Sequence, residues 1–282
     1  MSNCYQLTRW IKYGGMAVGA AAGALFCLGG TGHLVVRILY GVLIFAVVGV
    51  ISFAVAQYGS LNRMNRDLAL LNRDLDPEAF LREFEPAARR CRRDTIQGIM
   101  AWVYVSSGYS ALGEWETALK LLDSLKPELL KNRGQAALGL VLNQKFQCQY
   151  ARSDLEGAKE TLEQLRELAV QMQGRQPAVA KNLSYNARLF GEYLSFAGGG
   201  PVDTEYLEEE IRLSASPLHQ QQVCMVLADV YHSRGQFGDE RRLLTEVCAH
   251  GGRLKLRETA RQRLDQMERE DLDIMSEFMV MA

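Results

Sequence analysis

Hydrophobic positions along this chain of 282 residues fall into two regimes. Residues 1–57 hold no Asp or Glu and carry two long apolar runs, from about Tyr13 to Gly30 and from about Val35 to Gln57, parted by Gly-Thr-Gly-His. All 33 acidic residues come later. A spanning helix needs roughly 20 apolar residues. The second run meets that length easily; the first is shorter and rich in Gly and Ala. Past Asp94 the pattern changes to apolar residues at helical spacing, broken by short Gly, Pro or Asn stretches, and no run sustains the alternation of a strand. The pattern predicts an all-α chain: residues 1–12 as an N-terminal segment, 13–57 as a transmembrane helical hairpin, 58–93 as a helical stalk, and 94–282 as a soluble helical domain.

A cleaved signal peptide does not account for the first run, because a stronger apolar run follows within a few residues. A lipobox fails too, since bulky Phe26 precedes Cys27. Arg9 and Lys12 precede the first run, and Arg63, Arg66 and Arg73 follow the second, while His33 and Arg37 are all that lies at the connecting turn. By the positive-inside rule both termini and the soluble domain are cytoplasmic, on an integral cell membrane protein. Arg37 is placed to snorkel to the outer interface. Gly15, Gly19 and Gly23 fall on one face of the first helix. That face packs on the second helix, with Gly41 and Gly49 as a matching strip, or else serves self-association.

Leu61, Met64, Leu68, Leu71 and Leu75 follow 3-4-3-4 spacing on a helix leaving the membrane. Two heptads fall short of a coiled coil, so packing of this stripe on the soluble domain is the expectation over self-pairing. Asp76-Pro77-Glu78 is a helix start, with a capping Asp, Pro at the first helical position and acid in the first turn. Pro86 is read as a second restart.

The soluble part shows an internal pattern. Trp102, Val105, Ser106 and Tyr109 are followed by Gly113, Trp115 and Ala118. Leu227, Ala228, Tyr231, Gly235 and Phe237 repeat it, departing at Glu240, where a small residue is expected. Weaker copies hold Leu142, Phe146, Leu155, Ala158 and Leu162, then Leu189, Phe190 and Tyr193. Pro127 closes the first unit. Setting Trp102, Leu142, Asn186 and Cys224 in register gives steps of 40, 44 and 38. Over about residues 95–250 the chain resembles the tetratricopeptide-repeat family, whose repeat is about 34 residues; its longer steps leave room for a broader tetratricopeptide-like α-solenoid. A last helix, about 253–269, carries Leu256, Ala260, Leu264 and Met267 on one stripe and charges on the other face, as a capping helix requires. The apolar tail from Ile274 folds back or forms a short partner motif.

In that family the concave face is lined by the first helix of each unit. The resemblance implies a lining by Met100, Val103, Ser107 and Ser110, then Leu140, Asn143, Gln147 and Tyr150, then Ser184, Ala187, Gly191 and Leu194, and finally Gln222, Met225, Asp229 and His232. The partner groove is expected at Met100, Val103, Asn143, Gln147, Tyr150, Met225, Asp229 and His232. This lining is mostly apolar or neutral and lacks the basic cluster that clamps a peptide carboxylate. It suits an amphipathic helix or apolar segment, unless these residues only pack on neighbouring helices.

Charge and chemistry narrow the reading. Past residue 57 there are 29 basic and 33 acidic residues, so the soluble part carries −4 and lacks the basic footprint of a nucleic-acid binder. Arg89, Arg90, Arg92 and Arg93 form the one dense basic patch, either a solvated face or a contact for anionic lipid or an acidic partner. The six Cys show no CxxC spacing and fit thiols of a reducing compartment. His33, His219, His232 and His250 are isolated, and no phosphate loop, nucleophile elbow or HExxH is present, so no enzyme activity, metal or cofactor is expected. Glu208 to Glu210 reads as a solvated face. Two functions remain: a membrane-anchored adaptor that binds a protein or peptide partner, and a structural or assembly subunit of a membrane complex, joined through the glycine face.

Overall fold

The computed structural model describes residues 6–29, 33–126 and 134–281, excluding the side chains of 6–9 and 273–281. Pro127 lies outside them. The described residues form twelve helices and no strand. They divide into two compact units: Met1–Asp67 with Phe84–Arg92, and Leu68–Glu83 with Arg93–Ala282. Residues 58–93, the expected stalk, fall partly in each unit.

In the first unit, α1 (Gln6–Gly29) and α2 (Leu34–Asn72) are both long and apolar enough to cross a membrane. At 39 residues α2 extends roughly 58 Å, so it outruns a hydrocarbon core of about 30 Å and continues unbroken into the leucine stripe. The glycine strip faces α2. A methyl group on Gly15 would collide with Ser52, on Gly19 it would stand 3.2 Å from Val48, and on Gly23 2.6 Å from the Gly41 carbonyl. Gly41 belongs to this contact; Gly49 has open space around it and does not. At the far end Arg37 donates to the Cys27 carbonyl, giving a last-turn acceptor of α1 a partner.

The second unit begins with the end of α2. Leu71 and Leu75 of the stripe are buried, whereas Leu61 is exposed. Leu75 adopts φ +52°, a left-handed conformation rare for a γ-branched residue, and its carbonyl accepts from Arg253 N at 2.8 Å. Asp76 caps α3 (Pro77–Ala88) through Ala79 N at 2.9 Å and forms an ion pair with Arg253 at 3.1 Å. Pro86 sits inside α3 instead of restarting the chain; the helix ends two residues later, so little of it feels the missing N–H. Phe80 and Leu81 lie where a methyl group on Gly108 would meet them at 2.8–2.9 Å.

Then follow α4 (Ile96–Ala111), α5 (Trp115–Asp123), α6 (Gln135–Ala151), α7 (Leu155–Met172), α8 (Pro177–Ala197), α9 (Thr204–Leu213), α10 (Pro217–Ser233), α11 (Phe237–His250) and α12 (Lys255–Met281). Caps set several starts: Thr95, Asp154, Asp203 and Ser216 each accept a backbone N–H of the first turn. The core runs through α6, α7, α8, α10 and α11, with Phe146 stacked on Phe190 at 4.0 Å between ring centroids. Ala260 is fully buried and Leu256, Leu264 and Met267 pack on that core, as the stripe predicts. The backbone of α12 continues as helix through Met281, so the C-terminal segment extends the helix instead of folding back.

Candidate functional site

Four turns join the helix pairs α4–α5, α6–α7, α8–α9 and α10–α11, and they share one geometry. In each, a residue with left-handed φ follows the first helix: Gly113 (+82°), Ser153 (+60°), Gly199 (+71°) and Gly235 (+70°). In each, the next N–H reaches back five residues: Glu114 to Tyr109, Asp154 to Gln149, Gly200 to Ser195 and Gln236 to Tyr231, at 2.7–2.9 Å. The common turn fixes the register of the first helices. The residues eleven before it are Trp102, Leu142, Arg188 and Cys224. Three agree with the sequence alignment. The third does not: the register centred on Asn186 is off by two residues, which puts Leu189 and Tyr193 where Ala187 and Gly191 were expected.

That correction locates a cavity of about 270 Å³. From the expected groove it brings together Gln147, Tyr150, Met225 and Asp229, with Ser110 and Gln222 beside them. Leu189, Phe190 and Tyr193 of α8 complete the wall. In the sequence these three fall in a weak repeat copy, outside the expected groove. Met100, Val103, Asn143 and His232 do not line it. Val103 is buried, Met100 and Asn143 are half-buried, and His232 is exposed, its ring 5.8 Å edge-on to Phe237.

Leu254, Lys255, Leu256 and Thr259 at the α12 entry line another side of the cavity, and Lys255 packs where a methyl group on Gly113 would stand, 2.8 Å from its Cγ. Aromatic rings form one wall: Tyr150 lies 6.1 Å from Phe146 and 5.4 Å from Tyr193. Burial, helped by the charge of Asp229, pushes the Tyr150 phenol up to about 12, and burial raises Tyr193 further. Burial lowers His219, favouring its neutral form.

Behind the wall lies a charged network. Arg263 of α12 donates to both Asp229 Oδ1 and Glu240 Oε1, and Glu240 Oε2 stands 2.8 Å from His232 Nδ1. The Glu240 side chain is 1 % exposed, against 43 % for Asp229. Burial raises the Asp229 pKa against the pull of Arg263; burial lowers that of Arg263, but its two carboxylates outweigh this and raise it.

The remaining expected features disperse. Arg89 pairs with Glu85 at 2.7 Å, and Arg93 stacks 4.1 Å from the Trp102 ring centroid and donates to Ser124. Arg89, Arg90 and Arg92 fall in the first unit and Arg93 in the second. Cys27, Cys148, Cys224 and Cys248 are free thiols, but Cys91 is disulfide-bonded, which departs from an expectation of thiols throughout. Glu208 is not merely solvated: it accepts from Tyr231 at 2.8 Å and from Arg242 at 3.2 Å. Among the described residues no group of three His, Cys, Asp or Glu is placed to hold a metal ion. No protein-family model matches the chain, and neither a curated protein nor a solved structure matches it.

Proposed function

We propose that this protein is a membrane-anchored adaptor whose tetratricopeptide-like helical unit binds a protein partner at the membrane face. The observation that carries the reading is the aromatic-walled cavity on the surface common to the first helices, in a chain whose two N-terminal helices are long and apolar enough to cross a membrane. The four like turns support the tetratricopeptide-like reading. Tethering raises the effective concentration of the helical unit for a membrane partner, so a modest contact becomes sufficient. The glycine face of α1 lies against α2, which favours the adaptor over the assembly-subunit reading. The basic flanks favour a cytoplasmic helical unit, whereas a disulfide at Cys91 favours the oxidising side. Maleimide labelling of Cys248 in intact cells decides the side.

The test is capture from native membranes in mild detergent, comparing wild type with Gln147→Trp, which fills the cavity from a half-buried position. A partner bound by wild type and lost by the folded variant supports the adaptor. A partner set unchanged by the variant removes the cavity from the function.

A further inference from the structure

Resting on that reading, we propose that the cavity receives one basic side chain of the partner, an arginine, rather than an apolar helix. Size comes first. A cavity of about 270 Å³ is of the scale of one long side chain. The walls fit a flat cation. Tyr150, Tyr193 and Phe190 line the cavity, and guanidinium groups pack favourably against aromatic rings.

The charge count points the same way. Asp229 lines the cavity and shares the guanidinium of Arg263 with the buried Glu240, so two carboxylates meet one guanidinium there. The one lysine of the lining, Lys255, is already paired with Glu258 at 2.6 Å and does not make up the difference. His219 is held neutral by burial, and the phenol of Tyr150 stays protonated. Arg263 takes only the Oδ1 atom of Asp229, so Oδ2 is left to accept from an incoming guanidinium. A long apolar side chain would satisfy the rings but strand that carboxylate, and an acidic one would be repelled.

The test titrates full-length protein in detergent micelles with N-acetyl-arginine amide and N-acetyl-norleucine amide, read by saturation-transfer NMR. The arginine compound is expected to bind and the norleucine compound to bind at least several-fold more weakly. Asp229→Asn, which keeps an acceptor for Arg263, should weaken the arginine compound about tenfold, the loss of a charge-assisted hydrogen bond. Gln222→Glu at the cavity wall should tighten it several-fold, and this variant keeps the test alive if Asp229→Asn is unstable. Equal binding of the two compounds, binding of neither, or indifference to both substitutions overturns the proposal. Partner capture lost in Gln147→Trp but kept in Asp229→Asn would leave the adaptor standing and sink the arginine pocket alone; capture unaffected by either sinks both.

Discussion

Ala118, Ala158 and Glu240 occupy one position in three different helix pairs. Each lies five residues past a left-handed turn residue, and each is at most 1 % exposed. The first two let the second helix approach the first closely, with nothing but a methyl group between them. The third places a carboxylate there. What makes Glu240 tolerable is not its own pair but α12, which supplies Arg263, while His232 takes the other oxygen. The same local slot is therefore self-sufficient in two pairs and dependent on a distant helix in the third. A buried charge is stable only while its partners are in place.

Three substitutions press on this difference. Ala118→Glu copies the third case into the first pair, where no guanidinium waits. An unpaired buried carboxylate should cost about 5 kcal/mol, and thermal unfolding should show a greatly lowered midpoint. A midpoint near wild type would mean the slot can hydrate. Arg263→Leu removes the partner and leaves Glu240 buried, which should cost about 3–5 kcal/mol in denaturant unfolding. Adding Glu240→Ala to it converts the third pair into the first kind and should restore most of that loss; if the double variant is as unstable as the single, the network is not what binds α12. The smallest effect concerns Cys224, which stands where the first two pairs carry Trp102 and Leu142. Burial, with help from the Glu246 charge, pushes its thiol up to about 11 from an ordinary 9. A raised folded pKa contributes stability that is full below pH 9 and is lost as pH rises through 11. The advantage of wild type over Cys224→Ala should therefore shrink by about 2 kcal/mol across that window, as read from unfolding midpoints.

The helical content, the two long apolar helices and the α12 stripe were legible in the sequence because each rests on local periodicity. Asp76 as a cap was legible for the same reason. Pro86 misled, because a proline near a helix end and one starting a new helix look alike without the downstream geometry. The third pair slipped by two residues because its copy was aligned on weak apolar positions rather than on the turn at Gly199. Glu240 was recognised as a departure, but its remedy was not visible: Arg263 is 23 residues away and joins it only through packing. Whether the groove is open or filled was not legible, because the packing of Lys255 against the turn at Gly113 is a long-range contact.

The entry to α12 also bears on the order of events during synthesis. Leu75 and Arg253 are hydrogen-bonded across 178 residues of chain, and Lys255 lies against the first turn of the helical unit. Neither contact can form while the ribosome still holds the entry to α12. The nascent chain therefore passes through a long stage in which every helix pair exists but the cavity lacks its α12 side and Glu240 its guanidinium. Domains usually mature from the N-terminal end as they emerge. Here the cavity and the Glu240 pair wait for α12, so a message cut short before that helix yields a chain that exposes its aromatic wall, the kind of surface that chaperones and proteases survey.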